Sequence, residues 1–316
     1  MDEFELIRRY FSAGSAKRAD VILGVGDDAA LLRVPEGQEL AATTDSLLPG
    51  MHFPADLDPA AVGHRALAAN LSDLAAMGAE PAWALLALTL PEADEAWLES
   101  FSYGFHALAK QHQVALVGGN IARGPLNITI TVQGLVPKGQ ALRRQGAKEG
   151  DRIFVTGHPG DAAAGLKLIQ SGKTDMADPC VRRFAYPEPQ VKAGIGLRGL
   201  ASACIDISDG LLADLGHILE SSDVGATVLT AKLPLSKRLL ELHGMESAQQ
   251  LALTGGDDYE LLFTAPPERE QLIEEELKAL DCPVTCIGSV DAEPGLRSLE
   301  ASGHGLKVTE PGYKHF

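Results

Sequence analysis

From residue 127 to 136 apolar side chains fall on alternate positions, with Ile128, Ile130 and Val132 separated by threonines. That spacing predicts a strand with one covered face. Residues 83–90 are apolar apart from Thr89, as in a strand buried on both faces. Between them the period lengthens. Leu67, Leu71 and Leu74 form one stripe of a helix over residues 59–77, entered through Asp58 and Pro59, and proline suits the first helical turn. A second helix is predicted over 94–111, and a short one over 4–11 from the spacing of Phe4, Ile7 and Phe11. Residues 21–23, 29–34, 39–44 and 114–117 read as shorter strands.

The pattern restarts after a Gly- and Lys/Arg-rich stretch at 137–150. Strands are predicted at 152–156, 204–207, 226–229, 260–264 and 284–290, and helices at 161–170, 187–200, 210–220 and 268–280. Both halves mix helix and strand. The expectation is a two-domain α/β (mixed α+β) protein, with domains 1–137 and 138–316.

Charge narrows the partners. With 27 Lys and Arg against 43 Asp and Glu, the net charge is −16, which argues against nucleic acid or an anionic membrane as partner. No apolar run approaches the ~20 residues of a membrane span, and the acidic start Met1-Asp2-Glu3 lacks a secretory pattern. Four scattered cysteines, Cys180, Cys204, Cys282 and Cys286, suggest neither a disulfide framework nor a zinc site. A cytoplasmic protein is expected.

Two nucleotide-binding motifs are excluded. Gly24-Val25-Gly26 follows a strand, and Asp45 comes about twenty residues later, as in a dinucleotide fingerprint. That motif must open a helix, and residues 31–35 (Leu-Leu-Arg-Val-Pro) leave no room for one. Gly160 and Gly165 have the spacing of a P-loop, but Leu166-Lys167-Leu168 replaces its Gly-Lys-Ser/Thr end.

What recurs instead is acidic: Gly26-Asp27-Asp28, Thr43-Thr44-Asp45, Asn70-Leu71-Ser72-Asp73, Asp206-Ile207-Ser208-Asp209-Gly210 and Gly255-Gly256-Asp257-Asp258-Tyr259-Glu260, with Gly118-Gly119-Asn120 among them. Asn70 and Asp73 lie on one face near the end of their helix; the rest read as turns at strand ends. Adjacent carboxylates repel unless a cation sits between them, and hard oxygen donors suit Mg²⁺ or Ca²⁺. A triphosphate meets a carboxylate-lined pocket only through such cations. Glycines let backbone approach phosphate, and Arg123, Arg143 and Arg144 are candidate phosphate partners.

These segments, with His52-Phe53, the run from Asn70 to Pro81, and the ending Pro311-Gly312-Tyr313-Lys314-His315-Phe316, resemble the thiamine-monophosphate kinases, in order and over nearly the whole chain. The resemblance implies the two-domain aminoimidazole ribonucleotide synthetase-like fold and a homodimer paired through its N-terminal sheets. It implies ATP-dependent phosphorylation of thiamine monophosphate to thiamine diphosphate, with several Mg²⁺ ions. By motif position it assigns Asp28, Thr43, Thr44, Asp45, Asp73, Asp206 and Asp209 to metal, with Asn120 able to coordinate through its amide oxygen. ATP falls to Tyr103, Gly119, Asn120, Arg144 and Ser208, and the thiamine substrate to His52, Asp257 and Tyr313. Two residues depart from the pattern: Asn120 stands where the family usually has Asp, and Asp257 where a Glu is often seen. Because the acceptor is already an anionic phosphate oxygen, no general base is expected and direct in-line transfer is. Selenophosphate synthetase, a rival with the same acidic scheme, calls for a reactive Cys near the N-terminus, and none precedes Cys180. A non-catalytic nucleotide or cation sensor on this scaffold is the rival from another class.

Overall fold

In the computed structural model, which describes residues 3–12, 14 and 16–299, the alternating stretch becomes a central strand. The first elements are α1 (Glu3–Leu6), a π-helical turn (Ile7–Ser12), β1 (Val21–Leu23), β2 (Leu31–Leu32), β3 (Gln38–Leu47), α2 (Pro59–Ala76), β4 (Glu80–Leu90), α3 (Glu95–Gln111), β5 (Ala115–Arg123) and β6 (Asn127–Pro137). They are followed by β7 (Arg152–Thr156), α4 (Asp161–Gln170), α5 (Pro179–Ala185), α6 (Val191–Gly196), β8 (Ala203–Asp206), α7 (Leu211–Ser222), β9 (Gly225–Leu229), α8 (Lys237–Thr254), β10 (Leu261–Ala265), α9 (Glu270–Ala279), β11 (Val284–Asp291) and β12 (Gly295–Leu299). The chain divides into two compact units. One holds the described residues of Met1–Leu74 and Ala79–Gly139, the other those of Ala75–Gly78 and Gln140–Phe316.

In the first unit β3, β6, β4 and β5 form one sheet in that order, antiparallel except for the parallel β4–β5 pair. Ile128, Ile130 and Val132 of β6 are fully buried, whereas Thr129, Thr131 and Gln133 are half-buried on the other face. Buried leucines of α2 (Leu67, Leu71, Leu74) and aromatics of α3 (Phe101, Phe105) fill the covered side. The two helices cross closely: a Cβ at Gly63 would lie 2.1 Å from the Phe101 carbonyl oxygen, and one at Gly104 would lie 1.9 Å from that of Ala60. Asp94 caps α3, its Oδ1 accepting from Ala96 N (2.9 Å) and Trp97 N (3.1 Å). Fully buried Trp83 donates through Nε1 to Asp20 (3.1 Å), whose carboxyl is held below its usual range by the bidentate Arg18.

His106 of α3 ties down the N-terminal π-helical turn. Its Nε2 lies 3.0 Å from the Tyr10 carbonyl and therefore donates, and its Nδ1 is buried without a hydrogen-bond partner. Protonating Nδ1 would bury an unsatisfied cation, and burial accordingly pushes the ring's pKa below its ordinary 6.5. The unfolded chain thus takes up a proton below pH 6.5 that the folded one refuses until the lower folded value is reached. Stability attributable to His106 is complete above pH 6.5 and falls as pH drops through that window. Melting curves between pH 7.5 and 5.0 are expected to show a steeper acid loss for the native protein than for His106→Gln; parallel curves would refute this.

The second unit carries a six-stranded sheet in the order β12-β9-β11-β7-β10-β8, antiparallel except for β12–β9. Ile153, Val155, Ile205, Leu215, Ile218 and Leu262 lie in its core.

Several elements differ from expectation. The predicted strand at 29–34 contracts to Leu31–Leu32, and the predicted helix at 187–200 contracts to Val191–Gly196. Pro187 and Pro189 keep the residues before them out of the helical region. Two helices were not anticipated. In α8, buried Leu239, Ala248, Leu251, Ala252 and Leu253 do not keep one stripe across the kink at Gly244 (φ 70°, ψ 175°). Its start was nonetheless marked by Ser236, whose Oγ accepts from Leu239 N (3.0 Å). The entry Asp178-Pro179 into α5 is the same signal that located α2. Among the described residues no helix is long and apolar enough to cross a membrane.

Candidate active site

The acidic segments do not all lie in turns. Thr43-Thr44-Asp45 sits inside β3 and Gly118-Gly119-Asn120 inside β5. Placement in strands decides which side chains meet. Alternation along β3 puts Thr43 and Asp45 on the half-buried side, level with Ile130 and Val132 of β6. There Asp73, from the last turn of α2, accepts a short hydrogen bond from Thr43 Oγ1. Thr44 points to the opposite face, donating to the Ile130 carbonyl (3.2 Å) and accepting from Thr131 Oγ1 (3.0 Å). Only the Thr44 backbone oxygen, not its hydroxyl, is therefore available to whatever Thr43 and Asp45 hold. Burial, and next the neighbouring Asp73, push the Asp45 carboxyl up to about 6. A positive charge placed between the two carboxylates would bring that value back down.

A cavity of about 930 Å³ is lined by Gly26, Asp27, Asp28, Gly118, Gly119 and Asn120, over Leu85, Leu86 and Thr131. The structure thus brings Asp28, Gly119 and Asn120 together, while Asp45 and Asp73 are not part of that lining. Asp28 N donates to Asp27 Oδ1 (2.8 Å), so Asp27 shapes the turn that presents Asp28. His52 lies in the turn after β3. Its Nδ1 accepts from Leu48 N (3.0 Å), which places the proton of the neutral ring on Nε2. Tyr103 stands on α3 with 73% of its surface exposed.

In the second unit Asp206 ends β8 buried, Asp209 is half-buried and Ser208 exposed. Arg144 belongs to a loop anchored to this strand: Cys204 N donates to Arg143 O (2.8 Å), and Ser222 Oγ accepts from Gly146 N (3.1 Å) and Ala147 N (3.2 Å). Asp257 lies beside the Ser208 turn, its N–H donating to Ser208 O (2.9 Å). Tyr313 is outside the described residues. Among the described residues no group of three or more His, Cys, Asp or Glu side chains converges as a metal site.

The supporting roles of two carboxylates escaped the sequence reading: Asp214, outside its motifs, and Asp258, quoted there only as part of one. Asp214 Oδ2 accepts from the N–H groups of Ser208 (3.1 Å), Asp209 (3.2 Å) and Gly210 (3.1 Å), closing the turn that presents Asp209. Burial and then Asp209 push its carboxyl up to about 7. Asp258, fully buried, accepts from Gly160 N (2.7 Å) and Ala162 N (3.1 Å) at the start of α4. Burial raises its carboxyl to about 8, against the pull of those two N–H groups and Arg183. The position of Asp214 in the first turn of α7 was the available signal, since acidic residues there complement the helix N-terminus.

Residues 26–136 match the family model for the N-terminal domain of AIR synthase related proteins, and residues 148–299 that for the C-terminal domain. The chain is 48% identical to a thiamine-monophosphate kinase of Escherichia coli K12 over 318 residues, covering 99% of this chain and 98% of the relative. A crystal structure of thiamine-monophosphate kinase from Stenotrophomonas maltophilia K279a superposes with a TM-score of 0.86 at 47% identity, over 92% of this chain and 93% of that one. A structure described as AaThiL complexed with AMPPCP and TMP superposes at 0.79 with 34% identity, over 90% and 89%.

Proposed function

The chain belongs to the AIR synthase related family, and within it to the thiamine-monophosphate kinases, and we propose that it transfers the terminal phosphoryl group of ATP to thiamine monophosphate through the residues described above. The observation that carries the assignment of roles is the paired Asp45 and Asp73 with the Thr43 hydroxyl between strand and helix. A half-buried carboxylate whose proton is held on by burial and by the neighbouring Asp73 is a poor structural choice and a good cation site. The donor set, all oxygen, fits Mg²⁺. Asp45, Asp73, Thr43 and the Thr44 carbonyl would hold one ion in the first unit, Asp28 and Asn120 of that unit would serve another at the cavity, and Asp206 and Asp209 would serve an ion in the second unit. One or two carboxylates per cluster leave room for water and phosphate oxygens, which Mg²⁺ retains readily. When bound, Mg²⁺ supplies the charge that offsets repulsion between two phosphate anions.

The chain's own groups do the rest. Gly119 admits the nucleotide phosphates close to backbone, Arg144 pairs with their oxygens, and Ser208 and Tyr103 flank the nucleotide. His52, through its Nε2–H, Asp257 and Tyr313 receive the thiamine substrate. The acceptor oxygen is already ionised, so no base is required and transfer is direct and in line. The protein works as a cytoplasmic homodimer joined through the N-terminal sheets, a reading favoured by exposed Ile22, Leu31 and Leu40 on the first unit.

An ADP-release assay with ATP and Mg²⁺ tests this. ADP and thiamine diphosphate are expected with thiamine monophosphate, and none with thiamine or without acceptor. Label trapped on the protein in the absence of acceptor would overturn direct transfer. Asn120→Asp adds a charge to the cavity rim and is expected to lower the Mg²⁺ concentration for half-maximal rate about three- to tenfold. An unchanged Mg²⁺ titration would remove Asn120 from the metal set.

A further inference from the structure

Asp257 and Tyr259 both hold left-handed backbone angles, with φ of 67° and 51°. Such angles are uncommon for aspartate and rarer for a bulky residue. A pair of them spaced by one residue persists only where the surroundings over-determine the chain. The surroundings here do so. Between the pair, Asp258 is stapled to the start of α4 by its two N–H bonds. Arg183 Nη2 donates to the Asp258 carbonyl (3.2 Å) and to the Glu260 carboxylate, which also accepts from Thr156 Oγ1 (2.5 Å). On the far side, Asp257 N and Tyr259 N donate to Ser208 O (2.9 Å) and Ile207 O (2.8 Å). Asp258 and Glu260 are thus drawn into the interior, and residues 257 and 259 are turned the other way. There the Tyr259 hydroxyl donates to Asp257 Oδ1 at 3.1 Å, with the Tyr259 ring itself buried.

We propose that Tyr259 is a positioning residue for Asp257: its hydroxyl fixes the rotamer of that carboxylate and holds it aimed toward the substrate. Asp258 enforces the backbone that makes the contact possible. This rests on the reading of Asp257 as a contact of thiamine monophosphate. That molecule carries a permanently cationic ring and an amino-bearing ring, and both are recognised by an oriented carboxylate. A carboxylate left to swing between rotamers would bind either ring more weakly, because ordering it would then fall on the binding step.

The test compares Tyr259→Phe, Asp257→Asn and the double variant in the full-length enzyme. KM for thiamine monophosphate and for ATP, kcat and melting temperature are measured for each. Tyr259→Phe keeps the buried ring and removes only the hydroxyl. It is expected to raise KM for thiamine monophosphate about tenfold, the size of one hydrogen bond to a charged group. KM for ATP and the melting temperature should stay near those of the native enzyme. Asp257→Asn is expected to raise the same KM at least as much, and the double variant to add nothing further, since the hydroxyl then has no carboxylate to position. If Asp257→Asn raises KM and Tyr259→Phe does not, the positioning role is overturned and the substrate contact stands. If Asp257→Asn leaves that KM unchanged, the substrate reading itself fails and the proposal with it. If Tyr259→Phe alters both KM values or lowers the melting temperature, the hydroxyl is a structural contact and positioning is likewise rejected.

Discussion

Asp45→Asn is expected to give a metal-free protein that melts at a higher temperature than the native one and has lost a hundredfold or more of its kcat/KM. The two halves of this result come from one cause. Burial and Asp73 raise the folded Asp45 carboxyl from 3.8 to about 6. For an acid whose folded pKa is raised, stability is fully present below the unfolded value, and is lost as pH rises toward and through the folded one. At pH 7 the ionised side chain therefore destabilises the cation-free fold by up to about 3 kcal/mol. An asparagine of the same shape relieves that. The same substitution removes a charged donor from the proposed Mg²⁺ site. Loss of the positive charge that site gathers accounts for about a hundredfold to a thousandfold in rate. Melting in a chelating buffer, set beside kcat/KM at saturating Mg²⁺, measures both. A variant that is less stable and fully active would show Asp45 to be a structural residue and undo the assignment of the first-unit cluster.

The same contrast explains what was legible in the chain. The strand at 127–136 was readable because a half-covered strand writes its burial as a period of two, and its Ile128, Ile130 and Val132 are buried as predicted. The motif residues were readable as chemistry, since gathered carboxylates have few other uses. Their geometry was not. That Thr43 and Asp45 share a face while Thr44 lies on the other follows only once the segment is a strand. The predicted strand 39–44 stopped one residue short of Asp45 and left its face undecided. The supporting acids were less visible still. Asp214 and Asp258 act on backbone N–H groups that sequence does not display, and in Asp258's case on Gly160 and Ala162, almost a hundred positions away. Helix α8 was lost for another reason: a kink at Gly244 breaks the stripe on which periodicity depends.

Gly119→Ala is expected to lower both stability and nucleotide affinity, by a route with no charge in it. Gly119 lies within β5, after the bulge at Val117 and Gly118 in its pairing with β4. Its φ is +148°, in a region side chains rarely adopt, and a Cβ there would sit 1.9 Å from the Leu86 carbonyl oxygen and 2.8 Å from Leu86 N. The obstacle is the backbone of the neighbouring strand, not a side chain that can swing aside. Alanine must therefore spread β4 from β5 or rotate the Gly118-Gly119-Asn120 segment. Either distortion carries a destabilisation of about 3 kcal/mol or more, the range of overpacking combined with backbone strain. Either also moves Gly119 and Asn120 away from Asp28 across the cavity they line together. Urea denaturation should show the lower midpoint. Nucleotide affinity, measured by titration calorimetry at a temperature where the variant is still folded, should fall about tenfold or more. An alanine variant that keeps both its midpoint and its nucleotide affinity would mean that the strand yields at no cost, and that backbone approach at Gly119 is not what this glycine is for.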